Sequence, residues 1–255
     1  RKARFDAKLP SIFIAYGVKD NPAEIIATIA VKRGNRTLNA GELKSYMEAL
    51  SENDLSDQAL KLDLFSGGQR MAQLLRAKIS DYDRDSKILR IWDGKGKRTA
   101  PREHLLPLGP IASSIVEKLI LRANELERAN AITESREPTY SNLLLFSSFG
   151  AKQLAGTTPG KRVAAICKTM NCEGFNLRDI RRTCETMLAG MHISKDIRAQ
   201  LLSHGLSGVQ AAHYDRHSYT NEKRSALIAW EQRLKQLLVG EMAPTKAPRK
   251  RKSAG

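Results

Sequence analysis

The sequence predicts a mostly α-helical domain with one small antiparallel β-sheet, an α+β fold. Apolar residues recur at helical spacing through most of the chain, which indicates amphipathic helices. A short apolar strand pattern at 88–92 is followed by the turn sequence 93–97 and a second extended segment. The chain has 255 residues, of which 41% are hydrophobic. That is enough for one large core plus a fragment of a second unit.

The organisation along the chain predicts three parts. Residues 1–35 contain an apolar patch and the turn signal Asn21-Pro22, so we interpret them as the end of one unit and a linker. Residues 36–240 form the predicted main domain. Residues 241–255 contain prolines and a basic cluster, and we expect this tail to be disordered.

The first part of the main domain predicts three helices. Asn39 stands three residues before Glu42, which is the pattern of a capping box at the start of the first helix. The second helix is expected over 56–65 and ends at a pair of glycines. A third helical stretch is expected over 71–78.

The sheet comes next. Residues 88–92 read as a strand, and residues 101–108 as a returning edge strand, where prolines are tolerated. A long amphipathic helix follows over 111–128, and residues 130–142 are polar and loop-like.

The rest of the chain is predicted to be almost entirely helical. The expected helices are 161–171, 178–190, 194–203, 207–214 and 220–239. The last one has an apolar stripe, for which we consider two interpretations: intramolecular core, or a surface that docks on a neighbouring subunit. The stripe consists of Leu227, Ile228, Trp230, Leu234, Leu237 and Leu238.

The charge balance indicates a polyanionic partner. Lys and Arg total 43 against 27 Asp and Glu, giving a net charge of +16, and removing the five basic residues of 246–252 still leaves +11. A basic excess spread through a folded body is typical of nucleic-acid binding. Aromatic residues make up only 5%, which argues against stacking platforms for single strands and favours contact with a duplex backbone.

The cysteines and the hydropathy pattern exclude several classes of protein. Cys167, Cys172 and Cys184 form no CxxC pair, so we expect reduced thiols and no zinc site. No stretch approaches the ~20 apolar residues that a membrane span needs. The charged start does not resemble a signal peptide. We expect a cytoplasmic protein without membrane contact.

Three sequence motifs point to a family. They are Ser-Gly-Gly-Gln-Arg at 66–70, Leu-Arg-Asp-Ile-Arg-Arg-Thr at 177–183, and Leu-Leu-Ser-His-Gly at 201–205 followed by His-Tyr-Asp-Arg-His at 213–217. In this order and at these separations they resemble the catalytic domain of tyrosine recombinases of the phage and genomic-island integrase type. The resemblance runs over residues 37–219.

The resemblance implies a fold, an activity and partners. It implies the tyrosine recombinase catalytic-domain fold. It also implies cleavage and rejoining of DNA strands through a 3′-phosphotyrosine intermediate, leading to DNA integration or excision. The implied partners are double-stranded DNA and further copies of the chain, as a tetramer on DNA. No metal or organic cofactor is expected. Residues 1–35 then correspond to the end of an N-terminal core-binding module.

The resemblance also implies the site residues. Arg70 and Arg181 would clamp the scissile phosphate, because guanidinium groups are permanently charged, bidentate donors. Tyr214 would be the nucleophile. His204 would donate a hydrogen bond to the phosphate, and Lys95 at the hairpin tip would protonate the leaving 5′-oxygen.

Three of these assignments have an alternative nearby in the sequence. Arg182 follows Arg181, and Lys97 shares the hairpin with Lys95. Tyr219 is five residues beyond Tyr214. The Asp-Ile-Arg-Arg-Thr register favours Arg181. Tyr214 stands ten residues after the motif histidine, one more than the commonest family spacing, and this spacing favours it over Tyr219.

The sequence departs from the family pattern at two positions. Arg178 occupies a position that is commonly His or Lys, and it cannot accept a proton from the tyrosine. It can still hold the phosphate, so we expect the proton to pass to water, His213 or His217. Gln73 occupies a position that is acidic in many relatives. Two other functions therefore stay open: a DNA-binding protein of this fold that does not cut, and a type IB topoisomerase that relaxes supercoils.

Overall fold

The computed structural model describes residues 34–94, 101–140, 142–148, 152–203 and 219–240. The chain divides into two units, Arg1–Gly34 and Asn35–Gly255. All of the first unit except Gly34 lies outside the described residues. The predicted helix 207–214 and the predicted disordered tail also lie outside them.

The first two helices begin at caps that the sequence specifies. Helix α1 (Ala40–Glu48) has the predicted capping box: the Asn39 side chain accepts from the Glu42 amide, and the Glu42 carboxylate accepts from the Asn39 amide. Helix α2 (Leu55–Phe65) is capped by Asp54 and is buried on almost every side. A helix buried all round forms the centre of a domain, and the other elements pack on it.

Helix α3 (Met71–Leu74) is much shorter than the predicted 71–78. The difference has a backbone cause. Ile79 donates its N–H to Leu143, and Leu145 donates its N–H to Ala77. These long-range hydrogen bonds pair residues 77–79 with residues 143–145, so α3 cannot continue through them. A short 3₁₀ turn follows.

The sheet has three antiparallel strands in the order β1 (Tyr82–Asp83), β2 (Ile88–Asp93) and β3 (Arg102–Pro107). Strand β3 is at an edge, as predicted. Strand β1 was not predicted, because two residues are too few to show an alternating pattern. In the β2–β3 register Asp93 lies opposite Arg102.

Helix α4 (Pro110–Thr133) extends about one turn beyond the predicted end at 128, so the first residues of the predicted loop 130–142 are helical instead. The physical reason is local. Ala131 is buried, and the buried Glu127 carboxylate accepts from the Arg136 side chain and from the Thr139 amide just past the helix. These contacts stabilise the extra turn.

The remaining helices agree with the predictions within a few residues. They are α5 (Thr158–Met170), α6 (Leu177–Gly190), α7 (Lys195–Leu202) and α8 (Thr220–Val239). The apolar stripe of α8 is intramolecular core: its central residue Trp230 is fully buried and donates its indole N–H to the Leu64 carbonyl of α2 at 2.8 Å. Within the described ranges, no helix is long and apolar enough to cross a membrane.

Candidate active site

The turn between α2 and α3 is built on two glycines. Gly67 and Gly68 both have a φ of +84°, a conformation that L-residues with a side chain rarely adopt. The Gly68 amide donates to the Asp63 carbonyl at 2.7 Å, which closes the end of α2. A Cβ on Gly68 would lie 2.9 Å from the Arg181 Cα. The turn therefore packs backbone against backbone on α6 and presents Arg70 directly afterwards.

Arg181, one of the two predicted phosphate-binding arginines, is held by two backbone carbonyls. Its Nη1 donates to the Gly68 carbonyl at 2.6 Å, and its Nη2 donates to the Leu202 carbonyl at 2.5 Å. Burial, with a further contribution from the positive charge of Arg70, lowers its pKa to about 10. Arg181 is still protonated at neutral pH, and its guanidinium is held in one orientation by the first and third motifs.

Arg70 lies at the N-cap position of α3 and retains 22% side-chain exposure. Its Nη1 donates to Asp93 Oδ2 at 3.1 Å. Arg70 follows Gly68 by two residues, and the Gly68 carbonyl accepts from Arg181, so both arginines lie beside the same turn. The charge of Arg70 helps to lower the pKa of Arg181, and an anion bound by both guanidiniums would remove this repulsion.

Asp63, in α2, is almost fully buried. Burial raises the pKa of its carboxyl to about 8, while the charge of Arg181 opposes the shift. Asp63 is therefore mainly protonated at neutral pH. A protonated Asp63 adds little negative charge beside Arg181.

The end of α7 is fastened by side chains from two other segments. The Leu201 carbonyl accepts from Gln69 Nε2 at 3.2 Å and lies 3.0 Å from His104 Nε2. Burial lowers the pKa of His104 to about 3, so the ring is neutral and its Nε2–H donates to this carbonyl. Ser203 then adopts a left-handed conformation, with a φ of 52°. These contacts hold the last turn of α7 in place.

Arg178 and Arg182 lie on the same helix as Arg181 but in different environments. Arg178 is exposed in the first turn of α6, where its backbone N–H donates to the capping side chain of Asn176. Arg182 forms an ion pair with Asp179 one turn earlier. Of these three arginines, Arg181 is the one whose guanidinium contacts the first and third motifs.

The other predicted site residues cannot be placed in the same way. Lys95, His204 and Tyr214 lie outside the described residues, and so do the alternatives Lys97, His213 and His217. Tyr219 is described and lies directly before α8 with a φ of 53°. Among the residues that the structure describes, no group of three or more His, Cys, Asp or Glu side chains could hold a metal ion.

Sequence analysis missed one residue at this site, Asp93, which it assigned to a turn. In β2 the residues Leu89, Ile91 and Asp93 are buried in alternation. Continuing the period-two pattern of the strand by one residue would have placed Asp93 on the buried face. A charged residue at such a position requires a partner, and Arg70 is that partner.

Known proteins resemble this chain over the region that contains the three motifs. The sequence model of the phage integrase family matches residues 36–221. The tyrosine recombinase XerC of Pelotomaculum thermopropionicum is 31% identical over 106 residues, which cover 40% of this chain and 33% of the relative. The aligned part thus spans about a third of that relative.

Solved structures show the same fold. A Tn1549 transposon integrase variant in complex with transposon right end DNA has a TM-score of 0.52 at 12% identity, over 88% of this chain and 76% of that one. Another, in complex with a circular intermediate DNA, has a TM-score of 0.51 at 11% identity, over 81% and 72% of the two chains. The predicted α+β tyrosine recombinase fold is confirmed.

The family match extends over more than two thirds of the sequence and includes all of the first two motifs and the predicted nucleophile. The chain belongs to the phage integrase family.

Proposed function

We propose that this chain is the catalytic part of a site-specific DNA recombinase that cleaves and rejoins DNA strands through a 3′-phosphotyrosine intermediate, for DNA integration and excision. The observation that carries the proposal is the contact of Arg181 with the carbonyl of Gly68, 113 residues away in the sequence, which brings Arg181 beside the segment that presents Arg70. Family membership supports the assignment.

We assign residues 36–240 to the catalytic domain, residues 1–35 to the end of a core-binding module with its linker, and residues 241–255 to a basic tail. Two observations support the first boundary. The second unit of the chain begins at Asn35, and the family match begins at residue 36.

In the proposed reaction Arg70 and Arg181 bind the non-bridging oxygens of the scissile phosphate. The pentavalent transition state carries more charge on these oxygens than the ground state does. Two preorganised guanidiniums stabilise it, and removing one such donor typically costs ~3–4 kcal/mol. Arg181 is already oriented by two carbonyl acceptors and Arg70 by one carboxylate, so little reorganisation is needed.

The covalent step follows from the chemistry of a phosphodiester. The Tyr214 oxygen attacks phosphorus, the bond from phosphorus to the 5′-oxygen breaks, and a 3′-phosphotyrosyl bond forms. His204 would donate a hydrogen bond to the phosphate, and Lys95 would protonate the departing 5′-oxygen. Rejoining reverses these steps without ATP, since the phosphotyrosyl bond retains the energy of the phosphodiester. The roles of these three residues rest on the family resemblance.

Arg178 would add a further positive charge at the phosphate but cannot take the proton of the tyrosine. Its exposed position in the first turn of α6 supports a role as a phosphate ligand. We propose that water, His213 or His217 accepts the proton, and that the cationic surroundings lower the pKa of the tyrosine.

The proposed partners are double-stranded DNA and other copies of the chain, as a tetramer on two DNA sites. The net charge of +16 supports binding to a duplex backbone, and the Tn1549 integrase structures with this fold are complexes with DNA. The three cysteines are free thiols, which supports the cytoplasmic location that we propose.

A second candidate is a DNA-binding protein of the same fold that does not cut. Arg178 is the observation that favours it, because it replaces a residue that can transfer a proton. A type IB topoisomerase would use the same chemistry but act alone, and it would relax supercoiled plasmid DNA without joining two sites.

The test is covalent capture on nicked DNA. A library of duplexes of random sequence, each nicked so that the 5′-hydroxyl fragment escapes after cleavage, is incubated with the protein in EDTA. Adducts are isolated on a denaturing gel, and their DNA is sequenced. We expect the adducts of the wild-type protein to be enriched in one DNA sequence. The Tyr219→Phe variant should still form the adduct, and the Tyr214→Phe variant should form none.

The other outcomes separate the candidates. Tight, sequence-specific duplex binding with no adduct would favour the DNA-binding protein. Adducts without sequence enrichment, together with relaxation of a supercoiled plasmid, would favour the topoisomerase. If the Tyr214→Phe variant formed the adduct and the Tyr219→Phe variant did not, Tyr219 would be the nucleophile.

A further inference from the structure

Asp93 is the last residue of β2, and its charged side chain is buried. Only 3% of the residue is exposed. Its backbone is fixed by the final rung of the β2–β3 ladder, where it pairs with Arg102. The carboxylate therefore has a set position relative to both strands.

Among the residues that the structure describes, three side chains from two other segments donate to this carboxylate. Gln73 Nε2 donates to Oδ1 at 2.9 Å, and Arg70 Nη1 donates to Oδ2 at 3.1 Å. The Ser203 hydroxyl also donates to Oδ2, at 2.9 Å. Burying a carboxylate is costly unless it is paired and hydrogen-bonded, and here Arg70 supplies an opposite charge while Gln73 and Ser203 add hydrogen bonds from neutral groups.

The contacts of Asp93 join the parts of the chain that the proposed mechanism needs. Arg70 is a proposed phosphate ligand, Ser203 directly precedes His204, and the β2–β3 hairpin carries Lys95. Ser203 also accepts from Arg102 Nη2, so both strands of the hairpin contact it. A buried group that connects three such segments can set the orientation of each relative to the others.

We propose that Asp93 is the positioning residue of this site. Its carboxylate holds the Arg70 guanidinium in the orientation that meets the scissile phosphate and ties that orientation to Ser203 and to the base of the hairpin. The inference rests on the proposed function for the role of Arg70, and it goes beyond it by assigning the group that keeps Arg70 in place.

The position of this carboxylate also explains Gln73. The Gln73 amide nitrogen lies 2.9 Å from Asp93 Oδ1, so a glutamate at position 73 would bring a second negative charge into contact with the first. Like charges at such a distance raise each other's pKa and destabilise the ionised pair. A neutral donor at position 73 is therefore the consequence of a charged residue at position 93.

A charge exchange tests the proposal. The variants are Asp93→Asn, Gln73→Glu and the double variant Asp93→Asn/Gln73→Glu, with Asp83→Asn as a control at an exposed carboxylate of the same sheet. In the double variant the bond between positions 73 and 93 is restored with its direction reversed, and one carboxylate again lies beside Arg70.

The first measurement is the rate of adduct formation on the nicked duplex captured above, together with the duplex dissociation constant. We expect Asp93→Asn to slow adduct formation about 100-fold, the effect of misplacing a reacting group by about 1 Å, with little change in the dissociation constant. We expect Gln73→Glu to be slower than the wild type, because a second carboxylate then lies against Asp93. The double variant should recover most of the rate, and Asp83→Asn should match the wild type.

The second measurement does not depend on cleavage. Side-chain ¹⁵N–¹H spectra, with the Arg70 signals assigned by Arg70→Lys, report whether rotation of its guanidinium is restricted. We expect restricted rotation in the wild type and in the double variant, and free rotation in Asp93→Asn with the far-ultraviolet circular dichroism unchanged.

The outcomes are separable. If no protein forms an adduct but rotation of Arg70 is freed by Asp93→Asn and restored by the exchange, the positioning role stands and the proposed recombinase function fails. If adducts form at wild-type rate in Asp93→Asn, or if the double variant is no better than Asp93→Asn in both measurements, the positioning role is overturned.

Discussion

Gly68 and Arg181 join the first and second motifs by direct contact. The Arg181 Cα lies 2.9 Å from the point where a Cβ on Gly68 would be, and the Arg181 Nη1 donates to the Gly68 carbonyl at 2.6 Å. The glycine thus gives this arginine both room and a hydrogen-bond acceptor. The two arginines that are predicted to bind the phosphate lie beside the same turn, because that turn packs backbone against backbone on α6.

Gly68→Ala should destabilise the protein. The alanine would need a φ near +84° and would also clash with backbone, and a residue forced into this region typically costs ~1–3 kcal/mol. Urea unfolding followed by circular dichroism measures the change. Gly160→Ala is the matched control, since nothing lies within 4 Å of its Cβ position and α5 gains a better helix former. Equal stability of the two variants would contradict the packing argument.

Arg181→Gln should abolish most strand cleavage, whereas Arg182→Gln should not. Loss of one preorganised donor to a transition-state oxyanion typically costs 10²–10³ in rate, that is about 2.7–4 kcal/mol. Arg182 contacts Asp179 on its own helix and not the first motif. The rate of adduct formation on nicked DNA is the measurement. A larger loss in Arg182→Gln than in Arg181→Gln would exchange their roles.

Asp63→Asn should remove a pH dependence of stability. Burial raises the pKa of Asp63 in the folded protein to about 8, against an ordinary value of 3.8. The folded state therefore holds the proton more tightly than the unfolded chain. The stability linked to this group is full below pH ~4 and is lost as the pH rises to about 8, by at most about 1.4 kcal/mol per pH unit.

The measurement for Asp63 is the free energy of unfolding of both proteins from pH 5 to pH 9. The difference, variant minus wild type, cancels the contributions of other titrating groups and should increase with pH in favour of Asp63→Asn. A difference that is independent of pH would mean that Asp63 is ionised in the folded protein throughout this range.

Glu231→Gln should loosen the start of α4. The two carboxylate oxygens of Glu231 accept from the amides of Ile111 and Ala112, each at 2.9 Å, so α8 supplies the cap that α4 lacks locally. A glutamine offers only one acceptor and turns a donor toward the other amide. An unsatisfied buried amide costs ~1–3 kcal/mol.

Thermal and urea unfolding test this cap, with Glu117→Gln as the control. Glu117 pairs with Lys87 on the surface, with about 38% of its side chain exposed, and such pairs contribute little. If the two variants lost equal stability, the carboxylate of Glu231 would not be acting as a helix cap.

Local patterns account for most of the predicted elements. The Asn39 capping box, the two glycines after α2 and the apolar stripe of α8 can each be recognised within a few turns of the sequence. The end of α3 was predicted wrongly because distant backbone decided it. Helix α3 stops at Leu74 because residues 77–79 pair with the chain near residue 144, far away in the sequence.

The sequence by itself determined the family, the fold class and the assignment of Arg70 and Arg181 to the site, because these follow from the residue types in the motifs and from the spacing between the motifs. Only the tertiary structure decided how these arginines are held. The partners of Arg181 are the carbonyls of Gly68 and Leu202, and the partner of Arg70 is Asp93. These contacts depend on long-range packing that brings a turn, a strand end and a helix end together. The period-two pattern of β2 can place Asp93 on the buried face, but only the tertiary structure shows that it pairs with Arg70.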